Sequence, residues 1–214
     1  AEAYKNGPPG HFLISPQPSV RFSPIEDEKI LAEEDPDAGT VEPTLISYGT
    51  RNTKYADHLA RLDSSALSVG NSTSFETIPK CDRRNACLFK PTFIKLKLLT
   101  LGTTVTWLDA EAFLLNKISL PGGEWDVGFM DNNRKSKLNE KASVCIAFRP
   151  TSPALRFIET WEHFCSYTVA KGSDHSKMNY TRFVLEGEYT ESDITPSVTG
   201  TLIRDFGKGK EQRL

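Results

Sequence analysis

Asp109 and Glu111 combine residue type and spacing in the way most suggestive of chemistry. They follow Thr103-Thr104-Val105-Thr106-Trp107-Leu108, a β-branched and aromatic run nearly free of charge, which reads as a central buried strand. Positions i and i+2 on extended backbone project to the same side, so the two carboxylates can face one ligand. Two hard oxygen donors can hold a divalent cation and leave positions open for phosphate oxygens. A cation so placed stabilises the charge that develops on a diphosphate leaving group. Taken alone, the pair reads better as a cap on the next segment followed by a solvent-facing glutamate. The surrounding segments have to decide between the two.

Such a pair works only if a sheet and its helices hold it. Thr44-Leu45-Ile46-Ser47-Tyr48 predicts a strand, and Lys54 to Leu62 a helix with Tyr55, Leu59 and Leu62 along one stripe. Ala66-Leu67-Ser68-Val69-Gly70 is expected as a second short strand. Lys90-Pro91 is expected to open a strong helix with Pro91 in its first turn, apolar positions at Phe93, Ile94, Leu96, Leu98 and Leu99, and Gly102 as its end. Trp125 to Met130 and Ala142 to Phe148 predict further strands, and Ser152 to Tyr167 an amphipathic helix. Strands alternating with helices imply an α/β fold, a three-layer sandwich around a mostly parallel sheet. Ligands of such sheets bind beyond the carboxyl ends of the strands, which is where Asp109 falls.

The 214 residues suit one domain with an arm. Seven of the thirteen prolines precede residue 44, alongside the acidic clusters Glu26-Asp27-Glu28 and Glu33-Glu34-Asp35. Fixed φ angles, missing donors and charge repulsion oppose a packed core there. Residues 1–43 are therefore read as a Pro-rich acidic arm or linker, with a short helix around Pro24 to Glu34 allowed by a Ser23 cap and a Pro36 stop. The domain is read as 44–214. A net charge of −2 argues against a protein built to coat nucleic acid. No apolar run approaches the roughly 18 residues that span a membrane. Ala1-Glu2-Ala3-Tyr4 lacks the plan of a secretory signal and an initiator Met, so the chain is expected to be a piece of a longer, multidomain one. Cys81, Cys87, Cys145 and Cys165 form no C-x-x-C pair. Reduced thiols with two in the core are expected, and with them a cytoplasmic location; a Cys81–Cys87 disulfide is the alternative.

The run Val105-Thr106-Trp107-Leu108-Asp109-Ala110-Glu111-Ala112 resembles the aliphatic strand and D-x-D motif of GT-A glycosyltransferases, a Rossmann-related family. Leu45-Ile46-Ser47-Tyr48-Gly49-Thr50 followed by Tyr55 looks like the family's nucleotide-binding opening, and Lys90-Pro91 like its Lys-Pro element. Ala142-Ser143-Val144-Cys145-Ile146-Ala147-Phe148 looks like the small-residue segment lining its sugar pocket. Asp174-His175-Ser176-Lys177-Met178-Asn179 is similar to the D-Q-x-x-L-N pattern of the family-8-like retaining enzymes, with His175 replacing Gln. Arg204-Asp205-Phe206-Gly207-Lys208-Gly209-Lys210 resembles their H-x-x-G-x-x-K motif, with Arg204 in the His position. The matches run in order over roughly residues 44–210.

The resemblance implies a hexosyltransferase that moves a sugar from a nucleoside diphosphate sugar, expected to be a UDP-sugar, to a glycan, lipid-linked or protein hydroxyl, with retention. Thr50 and Tyr55 would lie near the nucleotide, Lys90 and Ala110 beside the donor, and Asp109 and Glu111 on a Mn²⁺ or Mg²⁺ ion. Arg204, Gly207 and Lys210 would meet the diphosphate; arginine carries only donors and cannot replace the histidine as a ligand. Asp174, His175 and Asp126 would face sugar and acceptor, although the residues themselves allow Asp174 as a helix cap and Asp126 as a turn residue. His11, His58 and His163 have no clustered partners and are expected to be structural or solvent-facing; Lys80, Arg83 and Arg84 could meet an anionic acceptor but read better as a solvated loop. Two other functions compete: an inactive nucleotide-sugar-binding module, and a nucleotidyltransferase. The latter is disfavoured because Gly49-Thr50-Arg51-Asn52-Thr53-Lys54 holds a single glycine where a Gly-rich phosphate loop is expected.

Overall fold

The computed structural model describes residues 39–131, 141–166 and 172–199, with the backbone of 202–205 and 211–213. Apolar alternation and capping chemistry place most of the elements. Thr40–Val41 (β1) and Thr44–Thr50 (β2) lead into Lys54–Ser68 (α1), whose N-cap Thr53 accepts from the Tyr55 N–H. Thr73–Ile78 (β3) precedes Arg83–Leu101 (α2), capped by Asp82 and ended by Gly102 in the left-handed conformation at φ 63°. Val105–Leu108 (β4), Ala112–Leu114 (β5), Leu120–Pro121 (β6), Val127–Asp131 (β7) and Lys141–Phe148 (β8) follow. The described chain continues through Ser152–Ser166 (α3), Asp174–Val184 (α4), Glu191–Asp193 (β9), Thr195–Val198 (α5), Leu202–Asp205 (β10) and Glu211–Arg213 (β11).

The central six-stranded sheet has the order β3-β2-β4-β8-β7-β9. Alternating residues divide its side chains between two cores. Leu45, Leu108, Cys145 and Ala147 meet Leu62 and Ala66 of α1 and Val198 of α5 on one face. Ile46, Val105, Trp107, Ile146 and Phe148 meet α2 and α3 through Phe93, Ile94, Leu98, Phe157 and Trp161 on the other. The three-layer α/β sandwich expected from the sequence is the architecture found. A large side chain fully buried in this way contributes roughly 1.5–3 kcal/mol, more than the helix preferences that compete with it.

Several expectations need correction. The sheet is mixed: β2 runs parallel to β3 and β4, and β7 to β9, but β8 is antiparallel to both β4 and β7. Ala66 to Gly70 is not a strand. Leu59, Leu62 and Ala66 share the buried stripe of α1, which carries the helix on to Ser68. The second strand is instead Thr73–Ile78, beside β2. Lys90-Pro91 does not open α2, which begins two turns earlier; Pro91 lies inside it. Asp82 supplies the start because its side chain accepts the Asn85 N–H at 2.9 Å. Two residues assigned to the arm, Thr40 and Val41, form β1, which pairs with β6, and Val41 is buried. Residues 1–38, with the helix expected around Pro24 to Glu34, and Tyr167 lie outside the described residues.

All four cysteines are free, with Cys145 and Cys165 buried. Burial pushes both thiols up, that of Cys165 to about 12, which leaves them little nucleophilic thiolate. Among the described residues no helix is long and apolar enough to cross a membrane.

Candidate functional site

The carboxyl ends of β2, β4 and β7 open into a cavity of about 420 Å³. Asp109, Ala110 and Glu111 lie on its floor, where β4 gives way to a turn closed by the Ala112 N–H on the Asp109 carbonyl at 2.9 Å. Two bonds to neighbouring strands hold that turn. Ser47 Oγ donates to the Leu108 carbonyl at 2.7 Å, and the Asp109 N–H donates to Val144 O at 3.0 Å. The β7–β8 pairing skips from Phe129–Ile146 to Met130–Ala142, so residues 143–145 have no β7 partner. This irregularity leaves the Ser143 carbonyl available to a side chain.

That side chain is Lys90. It is 4% exposed, and its ammonium lies 3.1 Å from Asp109 Oδ1, 2.7 Å from Asp174 Oδ2 and 3.1 Å from Ser143 O. The indole of Trp107 lies beneath it, 5.1 Å away, and donates its own Nε1–H to Asp109 Oδ1 at 3.1 Å. Burial by itself would push the ammonium down; Asp109 and Asp174 more than reverse this and hold it above the usual lysine range. Lys90 is therefore a fixed positive charge shared by two carboxylates. Pro91 follows it inside α2 and cannot supply an N–H to the helix ladder, so tertiary packing has to maintain the helix there.

Asp174 is not the cap of α4. Ser173 is, accepting from Ser176 N, and Asp174 is the first helical residue, turned inward onto Lys90. His175 follows it onto the cavity wall. At the opposite wall Thr50 and Tyr55 also face the cavity. The turn between them is tight: Asn52 has φ 56°, and the Thr53 hydroxyl bonds both Thr50 O and Thr50 Oγ1 at 2.7 Å. Gly49 permits the close approach of α1, because a Cβ there would press into the Tyr55 carbonyl group, with its carbon 2.9 Å away. Gly49→Ala is expected to destabilise the fold by about 1–3 kcal/mol, read as a lower urea midpoint. It is also expected to shift the cavity wall, because the displaced segment carries Thr50 and Tyr55.

The structure thus brings together Thr50, Tyr55, Lys90, Asp109, Ala110, Glu111, Asp174 and His175 around one cavity. It separates Asp126, which sits at the far end of β7, accepts from Thr151 Oγ1 at 2.6 Å and Thr190 N at 2.8 Å, and does not line the cavity. Asp126 takes the turn-holding role, because strand polarity sends the start of β7 away from the end of β4. The backbone of Arg204 pairs with Ala112, returning the chain to the Asp109–Glu111 turn. Gly207 and Lys210 lie outside the described residues. The sequence reading missed Tyr48, Asp131, Thr195 and Thr199. Asp131 was detectable by the rule that selected Asp109, as the first acid after an apolar strand.

Among the described residues no three His, Cys, Asp or Glu side chains group into a metal site. The residues lining the cavity include the acids Asp109, Glu111, Asp131 and Asp174 and the bases Arg83 and Lys90. Asp109 and Glu111 are hard oxygen donors of the type that a hydrated divalent cation takes.

No family model matches this sequence, and no curated protein matches it in sequence. Among solved structures, a glycosyltransferase involved in the glycosylation of the major capsid of PBCV-1 is similar, with a TM-score of 0.56 over 78% of this chain and 95% of that chain. The chain has a glycosyltransferase-like fold. At 11% identity, the likeness is one of architecture, so the residues of this glycosyltransferase-like domain must carry any functional reading by themselves.

Proposed function

We propose that this chain is a glycosyltransferase of GT-A type, similar to the family-8-like retaining enzymes, that uses a nucleoside diphosphate sugar, with a UDP-sugar as donor. The observation that carries this reading is the Asp109-Ala110-Glu111 turn, placed on the cavity floor at the carboxyl end of β4 beside the fixed charge of Lys90. Thr50 and Tyr55 take the nucleoside side. Asp109 and Glu111 hold Mn²⁺ or Mg²⁺, which supplies Lewis-acid stabilisation of the leaving diphosphate. By the resemblance of their motif, Arg204, Gly207 and Lys210 would meet the same phosphates.

Lys90 and Asp174 face the sugar, and His175 faces the reacting carbon or the acceptor. The Asp174 carboxylate is already engaged by Lys90, which favours transfer with retention, in which the departing phosphate oxygen takes the acceptor's proton. The acceptor is a hydroxyl of a glycan, a lipid-linked sugar or a protein.

Incubation with a panel of nucleotide sugars, with Mg²⁺, Mn²⁺ or EDTA, tests the reading through nucleotide release. Release from a UDP-sugar that falls about a hundredfold or more in EDTA is expected. Undiminished release in EDTA would remove the metal role of Asp109 and Glu111. Thermal stabilisation by UDP without release from any donor would identify a binding module instead.

A further inference from the structure

The carboxyl edge of the sheet is basic on its β2–β3 side. Arg51 and Lys54 come just after β2, and Lys80, Arg83 and Arg84 just after β3. These two strands pair in parallel as far as Thr50 and Ile78, so both basic segments leave neighbouring strand ends, about 4.8 Å apart. Arg51 ties the two ends together: its N–H donates to the Ile78 carbonyl at 2.9 Å and its Nε–H to Thr77 Oγ1 at 3.4 Å. Arg83 lines the cavity, as do Thr53 and Tyr55. All five cations are exposed, and none has a carboxylate partner among the described residues. Of the acids nearby, Asp82 is taken up by the Asn85 N–H and amide, and Glu76 by Lys97. Asp57, in the first turn of α1, is one negative charge against five positive ones.

The opposite charge lies in the same chain. Residues 1–38 hold eight acids and three bases, a charge of −5; with −2 for the whole chain, residues 39–214 carry +3. Three of those acids are consecutive, Glu26-Asp27-Glu28. Chain length decides whether they reach the basic rim. Glu28 and Thr50 are each eleven residues from Gly39. Eleven residues span at most about 36–40 Å, so Thr50 lies no farther than that from Gly39, and an equal length of chain on the other side is long enough to cover the distance. Glu33-Glu34-Asp35 begins only six residues from Gly39 and reaches about 22 Å at most, little more than the roughly 20 Å that β2 itself covers. The longer-tethered cluster is the one that fits.

We propose that Glu26-Asp27-Glu28 docks, within its own chain, on the rim formed by Arg51, Lys54, Lys80, Arg83 and Arg84, where it obstructs anionic ligands at the mouth of the cavity. Exposed ion pairs are individually weak, but a tether gives the arm an effective concentration on the order of millimolar, at which several weak pairs suffice. Salt releases such an arm, because the screening length falls from about 30 Å at 0.01 M to about 3 Å at 1 M. The obstruction of a nucleotide rests on the function proposed above; the docking does not.

Zero-length carbodiimide coupling of the whole chain, read by peptide mass spectrometry, joins carboxylates to the amines they touch. At about 0.01 M salt, Glu26-Asp27-Glu28 is expected to couple to Lys54 or Lys80 about fivefold more than to Lys95 or Lys117 elsewhere on the fold, and to lose that preference at about 1 M. Arg51→Glu with Arg84→Glu, neither of which lines the cavity, is expected to cut the coupling about fivefold. Equal coupling to all four lysines would overturn the proposal, as would coupling found only between chains in a mixture of light and heavy-isotope protein.

UDP titration reads the obstruction. Glu26→Gln, Asp27→Asn and Glu28→Gln together are expected to tighten UDP binding about fivefold at low salt and to change it less than about twofold at 1 M. Equal UDP affinity of the two proteins at low salt would overturn the obstruction. If UDP binds neither protein while the Lys54 and Lys80 couplings persist, the nucleotide reading fails and the docking stands.

Discussion

Lys90→Met is expected to destabilise the folded protein by about 3–5 kcal/mol, because it strips the shared counter-charge from two enclosed carboxylates. The side chains of Asp109 and Asp174 are 18% and 9% exposed, so water can screen little of the repulsion that remains. Methionine keeps nearly the same length and packs acceptably against Trp107, which confines the change to charge and hydrogen bonding. Urea denaturation at neutral pH measures the loss. In the wild type the pairing raises the ammonium above its ordinary range, so its stabilising contribution is complete below that range and is lost only as pH climbs through the raised value. A Lys90→Met protein as stable as wild type at neutral pH would show that the ammonium does not bridge Asp109 and Asp174.

Asp109→Asn carries the largest expected effect on turnover. The amide keeps the shape of the side chain and an oxygen to accept the Trp107 Nε1–H, and the backbone stays bonded to Val144. What it loses is the negative charge that pairs with Lys90 and that, in the function proposed, would hold a cation. Nucleotide release is expected to fall about 10²–10³-fold, the scale of losing a preorganised electrostatic group. The thermal transition should move less than in Lys90→Met, because the ammonium keeps Asp174. Single-turnover release with saturating donor separates the chemical loss from weakened binding. Turnover within a few-fold of wild type would detach the Asp109-Ala110-Glu111 turn from the donor site.

These expectations differ in how far the sequence alone could supply them. Val105 to Leu108 followed by Asp109 was legible because strand and acid are neighbours in the chain, and the polarity of an α/β sheet says which end binds. Gly102 was legible as a helix end for the same local reason. The start of α2 was not, because Arg83 to Phe89 shows no clean apolar stripe and Pro91 is a strong signal for a first turn. It took the Asp82 cap and the packing of Phe93, Ile94 and Leu98 against the sheet to override it. Ala66 to Gly70 misled in the opposite sense, since so short a run fits a strand as readily as the last turn of a helix.

The position of Asp109-Ala110-Glu111 just beyond a buried strand is what the sequence determined by itself, along with the α/β class, because period and adjacency are local properties. Tertiary structure decided which groups share that site. It turned β8 antiparallel, put Asp126 at the end of β7 away from the cavity and Asp131 at the end that lines it, and laid Lys90 between Asp109 and Asp174. The physical reason is that hydrophobic patterning states which face of an element is buried but neither its neighbour nor its direction. A lysine in mid-helix shows nothing in sequence of the two carboxylates that make its burial possible.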